Sequence, residues 1–116
     1  MSSEANADTV IAETKVVFVT DTGRKFPVTL GIGKPYLANQ TACCVYYMDG
    51  YKKPFQAYGE DTFQALCGAI GMIRSHLNSL VEHSGYKIYE GDVDFESENY
   101  EENYAFSVEL VFAMNL

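Results

Sequence analysis

The sequence predicts an α+β fold: a curled, mostly antiparallel sheet of about six strands wrapped around one long helix, in the order β-β-β-β-α-β-β. Three observations carry this expectation. Apolar and β-branched runs with period two fill most of residues 10–58. The apolar period then switches to helical spacing between Phe63 and Val81. Extended patterns return after Gly85. Strands joined by hairpins need no crossover helix, which separates this class from a doubly wound parallel sheet.

Residues Met1–Thr9 are polar and are expected to form a flexible tail ahead of one domain spanning 10–116. A chain of 116 residues can remove roughly two-thirds of its surface from water as one domain. Val16, Val17, Val19 and Thr20, with Phe18 among them, mark a first strand, and Asp21-Thr22-Gly23 supplies a turn. Phe26, Val28, Leu30 and Ile32 give a second strand. Pro27 within it requires an edge, or a missing N–H turned away from the neighbouring strand. Gly31 to Pro35 closes that strand and opens a loop through Asn39. A third strand covers Thr41–Met48, and Asp49-Gly50 is a hairpin signal of type I′, whose two central residues need positive φ. The returning strand runs from Tyr51 to Tyr58, with Pro54 marking an edge or an irregularity.

Phe63, Leu66, Cys67, Ile70, Ile73, Leu77, Leu80 and Val81 then follow one helical face. Asp61 is suited to cap the helix, Gln64 to complete a capping box, and Gly85 to end it. Ala65, Gly68, Ala69 and Gly71 leave part of the helix slim enough to lie close to a sheet. Tyr86–Glu90 reads as a short strand extending toward Phe95. Tyr104, Phe106, Val108, Leu110, Phe112 and Met114 alternate with smaller or polar residues, which predicts a long terminal strand.

Charge is distributed unevenly. Residues 1–87 carry eight acids and eight Lys/Arg, whereas residues 88–116 carry eight acids and no base, so the net charge of −8 is a local field. Such a field steers a cationic partner and repels wrong ones. A pI near 4.5 argues against nucleic-acid binding, which leaves a basic footprint. Asp92, Asp94, Glu96 and Glu98 fall at every second position, so an extended backbone projects all four from one face, opposite Val93 and Phe95. Glu101 and Glu102 continue the patch, and Tyr100 and Tyr104 add the aromatic surface enriched at interfaces. A solvated loop would need no partner for these acids. The run opens like a calcium loop, but Ser97 stands where glycine is needed and Asn103 where glutamate is needed, so no metal is expected.

Other motifs are weaker. Gly31-x-Gly33-Lys34 lacks the spacer of a phosphate loop and has Pro35 where Ser or Thr is needed. His76 and His83 lie two turns apart, about 10 Å along a helix, too far to share a metal. Cys43, Cys44 and Cys67 form no metal-binding or secreted-disulfide pattern and suit buried, reduced thiols. Tyr46, Tyr47, Tyr51 and Tyr58 gather around the hairpin as a second candidate surface. Neither a catalytic constellation nor a cofactor fingerprint is present, so the chain is expected not to be an enzyme. It has no signal-peptide pattern and no apolar run long enough for a membrane span, which points to the cytoplasm.

Ile32-Gly33-Lys34-Pro35-Tyr36, the Ala42–Tyr47 strand and Gly59-Glu60-Asp61-Thr62-Phe63-Gln64-Ala65-Leu66 together resemble a family of small uncharacterised bacterial domains. The resemblance covers roughly 16–90, its motifs are a tight turn and a helix cap, and the acidic run lies outside it. In size, charge and build the chain also resembles immunity proteins of contact-dependent growth inhibition systems. That likeness implies a cytoplasmic protein that binds a cognate basic toxin, a nuclease with RNase favoured, and occludes its active site with Asp92, Asp94, Glu96, Glu98, Tyr100, Glu101, Glu102 and Tyr104. No nucleic-acid or membrane partner is then expected. The alternative is a module that binds a small ligand or single-stranded nucleic acid on a concave, tyrosine-rich sheet.

Overall fold

Residues 10–112 are described by a computed structural model of the chain, and most elements follow its hydrophobic pattern. Five strands come first: β1 (Val10–Val19), β2 (Lys25–Gly33), β3 (Tyr36–Ala38), β4 (Thr41–Asp49) and β5 (Lys52–Gly59). They are followed by α1 (Thr62–His83), β6 (Lys87–Glu90), α2 (Tyr100–Asn103) and α3 (Val108–Val111). The class is the expected α+β, with a six-stranded antiparallel sheet in the order β3-β4-β2-β1-β6 and β5 paired to β4. β2 and β3 pair with successive stretches of β4, Tyr46–Asp49 and Thr41–Cys43. β5 pairs along Ala42–Met48 and so takes the other side of β4. The expected tail at 1–9 lies outside the described residues. Backbone packing groups the chain into two units, one formed by 10–14 and 29–73, the other by 15–28 and 74–112.

In the first unit, alternate residues of β4 form the core: Ala42, Cys44, Tyr46 and Met48 are buried, together with Leu30 and Ala57. The Tyr46 ring stacks on Phe55 at 5.5 Å. Helix α1 is capped as expected. Gln64 N–H donates to Asp61 Oδ1 at 2.7 Å, and Gln64 Oε1 accepts in return from Glu60 N–H at 2.6 Å, one residue earlier than in the usual box. The buried residues of this half of α1 are Ala65, Ala69 and Ile73, not the larger ones at its start. A methyl group on Gly68 would stand 3.5 Å from the Ala57 side chain, so the slim face is the one that meets β5. Close approach of two backbones outweighs the size of any one side chain. Phe63 is consequently 74% exposed, and Cys67, expected to be buried, is also exposed.

Turn chemistry gives another departure. Asp49-Gly50 does turn the chain, closed by Tyr51 N–H donating to Met48 O at 3.0 Å, but only Gly50 has positive φ, at 97°. That is a type II pattern and not type I′. The pair with two positive φ values is Asn39 (54°) and Gln40 (67°), which joins Ala38 to its register partner Thr41 and creates β3 inside the expected loop. Glutamine gives no signal for such a conformation. Pro54 brings the irregularity expected of it, while the strand holding Pro27 is not an edge, since β2 lies between β4 and β1. Pro27 precedes the part of β2 paired with β4, and Pro54 falls where the β4–β5 register shifts. Tyr47 lies flat over Gly31, its register partner, where any side chain would collide with the ring. Its hydroxyl donates to Glu13 Oε1 at 3.2 Å.

In the second unit, Phe18 is fully buried and makes edge-to-face contacts with Phe26 at 5.7 Å and Tyr86 at 6.0 Å. Val16, Val28, Leu77, Leu80 and Ile88 complete that core. Thr20 to Arg24 form the expected turn: Thr20 N–H donates to Arg24 O at 2.8 Å, and Arg24 N–H to Thr20 Oγ1 at 3.1 Å. α1 ends at Gly85 (φ 73°), where Tyr86 N–H reaches back to Leu80 O at 3.0 Å.

A further departure is the terminal strand, which does not form within the described residues. Only Ala105 bridges to Tyr89. Ser107 then accepts Leu110 N–H on Oγ at 3.3 Å and starts α3, so Val108 is buried while Leu110, expected on the same face, is 78% exposed. Period two over this stretch competes with a helix cap, and the cap wins once the chain has left β6. Met114 lies outside the described residues. Among the described residues no helix is long and apolar enough to cross a membrane.

Two outcomes follow for measurement. Replacing Gln40 with Gly relieves an L-residue held in the left-handed region, offset by glycine's larger chain entropy, so unfolding in urea should shift by about 0.5–1 kcal/mol toward greater stability. Burial, with Glu13 nearby, pushes the Tyr47 hydroxyl up to about 12. Its stabilising contribution is therefore complete below the unfolded value near 10 and is lost as pH rises from about 10 to 12. Ultraviolet titration should show a late-ionising tyrosine that disappears in Tyr47→Phe.

Candidate functional site

Strand β6 is buried on both faces, and that decides how the acidic segment is held. Ile88 and Tyr89 are adjacent and point to opposite sides, yet both are buried. Tyr89 is covered by Phe95 and Tyr100, whose rings stand 5.5 Å from it and 5.3 Å from each other. Lys25 Nζ lies 5.0 Å from the centre of the Phe95 ring, adding a cation to the ring cluster. The segment leaves β6 through Gly91, where any Cβ would stand only 2.8 Å from the Lys15 carbonyl oxygen. It returns where Glu90 N–H donates to Tyr104 O at 2.8 Å, followed by Phe106 N–H to Ile88 O at 3.0 Å.

Between these ends the backbone is not extended, contrary to expectation, but folded into turns. Val93 N–H donates to Glu90 O at 3.0 Å, and Ser97 N–H to Asp94 O at 3.1 Å. Asp94 Oδ1 also accepts Glu96 N–H at 3.0 Å, an Asx-type turn. Like charges stacked along one strand face would repel, and the turn-forming Asp94 offers the backbone a local alternative. The alternation nevertheless survives in exposure. Asp92, Asp94, Glu96 and Glu98 are exposed, while Val93, Phe95 and Ser97 between them are half-buried. None of the four acids has an ion-pair partner among the described residues.

The remaining expected site residues divide. Glu102 is exposed on α2. Glu101 is tied to Lys87 by a 3.2 Å ion pair, which holds the lysine above its ordinary pKa. Tyr100 is half-buried in the ring cluster, so it positions the loop from beneath. Tyr104 is half-buried, and its carbonyl closes the loop. Sequence reasoning missed Tyr89, Phe95 and Lys25 as the loop's supports. Phe95 standing between acids, five residues before Tyr100, was the available signal. Among the described residues no cluster of His, Cys, Asp and Glu could hold a metal ion.

The tyrosine surface of the first unit is organised differently. Tyr36, Cys43 and Tyr58 form one row across β3, β4 and β5. Tyr36 donates its hydroxyl to Gln56 Oε1 at 3.3 Å, and Tyr58 is 65% exposed. Tyr46 faces the core, while Tyr47 and Tyr51 are half-buried.

Phe95→Ala removes two ring contacts worth about 0.5–1.5 kcal/mol each beyond area burial. Limited proteolysis of that variant should open new cleavage between residues 91 and 99, with global stability lowered by about 1–3 kcal/mol. An unchanged digest would mean that the turns alone hold the loop.

Comparison with known proteins gives one finding. A search of curated proteins and a search of solved structures returned no match. A family model, Domain of unknown function (DUF6968), matches residues 14–108, reaching past the expected 16–90 to take in the acidic loop and the start of α3. Most of the sheet, all of α1 and the loop fall inside the match, and the chain belongs to this family of unknown function.

Proposed function

We propose that this chain is a protein-binding inhibitor of the immunity type, whose acidic loop captures a basic toxin domain in the cytoplasm and occludes its active cleft. The observation that carries the reading is the state of Asp92, Asp94, Glu96 and Glu98: all exposed, none ion-paired among the described residues, on a loop fixed by three packed rings. A loop ordered before binding loses less conformational entropy on association. Its unmatched charge accelerates encounter with a cationic surface, and a nuclease that grips phosphates presents such a surface. An RNase is the favoured target. Glu102 extends the contact, and Glu101 joins it by releasing Lys87. Tyr100 and Tyr104 shape the loop, a role different from the aromatic interface surface expected of them. The tyrosine surface is the weaker alternative for ligand or single-strand binding, because a chain of net charge −8 repels phosphate.

The test is charge reversal that spares the turn-forming Asp94. Asp92→Lys, Glu96→Lys and Glu98→Lys together should slow association with a basic nuclease domain encoded beside this gene by tenfold or more at low salt. Circular dichroism should stay unchanged, and growth protection on co-expression should fall. Association at the unaltered rate in the folded variant would sink the acidic-loop mechanism.

A further inference from the structure

Three strands, the three-residue β3, β5 and β6, have one neighbouring strand each in the sheet, and the chain treats β6 and β5 differently. β6 is bonded on its outer side by the returning segment, through Tyr104 O and Phe106 N–H. β5 pairs with β4 on one side, and among the described residues no segment pairs with the other. An open edge is a template for another strand.

The charges along that edge select one kind of strand. Lys52 and Lys53 stand at its start, Glu60 and Asp61 directly past its end, and Pro54 to Gly59 between them carry no charge. Lysine and proline on an edge ordinarily discourage pairing. Here the bases are matched by acids at the opposite end of the same strand. An antiparallel copy of β5 therefore meets complementary charge at both ends, whereas a parallel copy meets like charge at both. Antiparallel pairing of identical strands is also what two-fold symmetry produces. With Gln56 on an axis normal to the sheet, Lys52 falls opposite Glu60 of the second copy and Pro54 opposite Tyr58. Residues of like face stay together, so the exposed Tyr58 ring gains a proline to pack against. Asp61 keeps its capping bond to Gln64 and offers its second oxygen.

We propose that the chain forms a two-fold homodimer by antiparallel pairing of β5 with β5, locked at each end by Lys52 and Lys53 of one copy against Glu60 and Asp61 of the other. The dimer uses the first unit only and does not depend on the acidic loop. Sedimentation equilibrium of the full chain from micromolar to submillimolar concentration should show a species of twice the 12.9 kDa chain mass. Amide exchange at 55–58 should slow as concentration rises. Lys52→Glu with Lys53→Glu, and separately Glu60→Lys, should each weaken self-association by tenfold or more while leaving thermal unfolding of the dilute, monomeric chain unchanged. Mixing the two variants should restore a heterodimer, because their altered ends complement each other. A wild-type chain that stays monomeric overturns the proposal, as does a dimer untouched by both variants or a mixture that fails to associate.

Discussion

Burial of Tyr89 is the constraint on which the second unit's surface depends. β6 is four residues long and buries adjacent side chains on its two faces, so both faces need cover. Ile88 lies among the buried apolar residues of its own unit. Tyr89 is covered only because the following segment folds back and sets Phe95 and Tyr100 against it. Everything notable about the acidic loop follows from that. Residues that must face inward set the path of the backbone, and the carboxylates between them are turned to water by default. The charge pattern is therefore a consequence of ring packing as much as of repulsion among the acids.

The first unit depends on a different economy of space. Ala65 and Ala69 are completely buried, although they are the smallest side chains on their helix face, because they let α1 lie against β5. Larger apolar residues such as Phe63 are displaced to the solvent side of the same turns. A methyl group at 65 or 69 removes less apolar area from water than a leucine would. It permits dispersion contacts between whole backbones, which are individually small and collectively large.

How much of this was legible in the sequence depended on how local the cause was. Asp21-Thr22-Gly23, the Asp61–Gln64 cap and Gly85 act within a few residues, and each appears where the sequence placed it. The helix period was legible, as were the slim positions Ala65, Gly68 and Ala69 and the buried Ile73, Leu77 and Leu80; the exposure of Phe63 and Cys67 was not, since contact with Ala57 on another strand decided it. β3 was hidden because Gln40 adopts a conformation that glutamine rarely signals. The terminal strand failed for the opposite reason: its alternation from Tyr104 to Phe112 was regular, yet Ser107 supplied a cap that alternation does not register. At the acidic site, exposure at alternate positions was legible. The turns that produce it, and the inward role of Tyr100, required knowing that Tyr89 was already buried.

The closure of the loop has one more consequence. The chain departs at Glu90 and comes back at Tyr104 through a hydrogen bond between those same two residues. Both ends are thus fixed at one point, and the ordering cost of what lies between grows only slowly with its length. Away from Gly91, Asp94, Phe95 and Tyr100, residues can be inserted, deleted or recoloured in charge without disturbing strand register. A segment anchored in this way behaves as a cassette, whose sequence can change while the sheet beneath it stays the same.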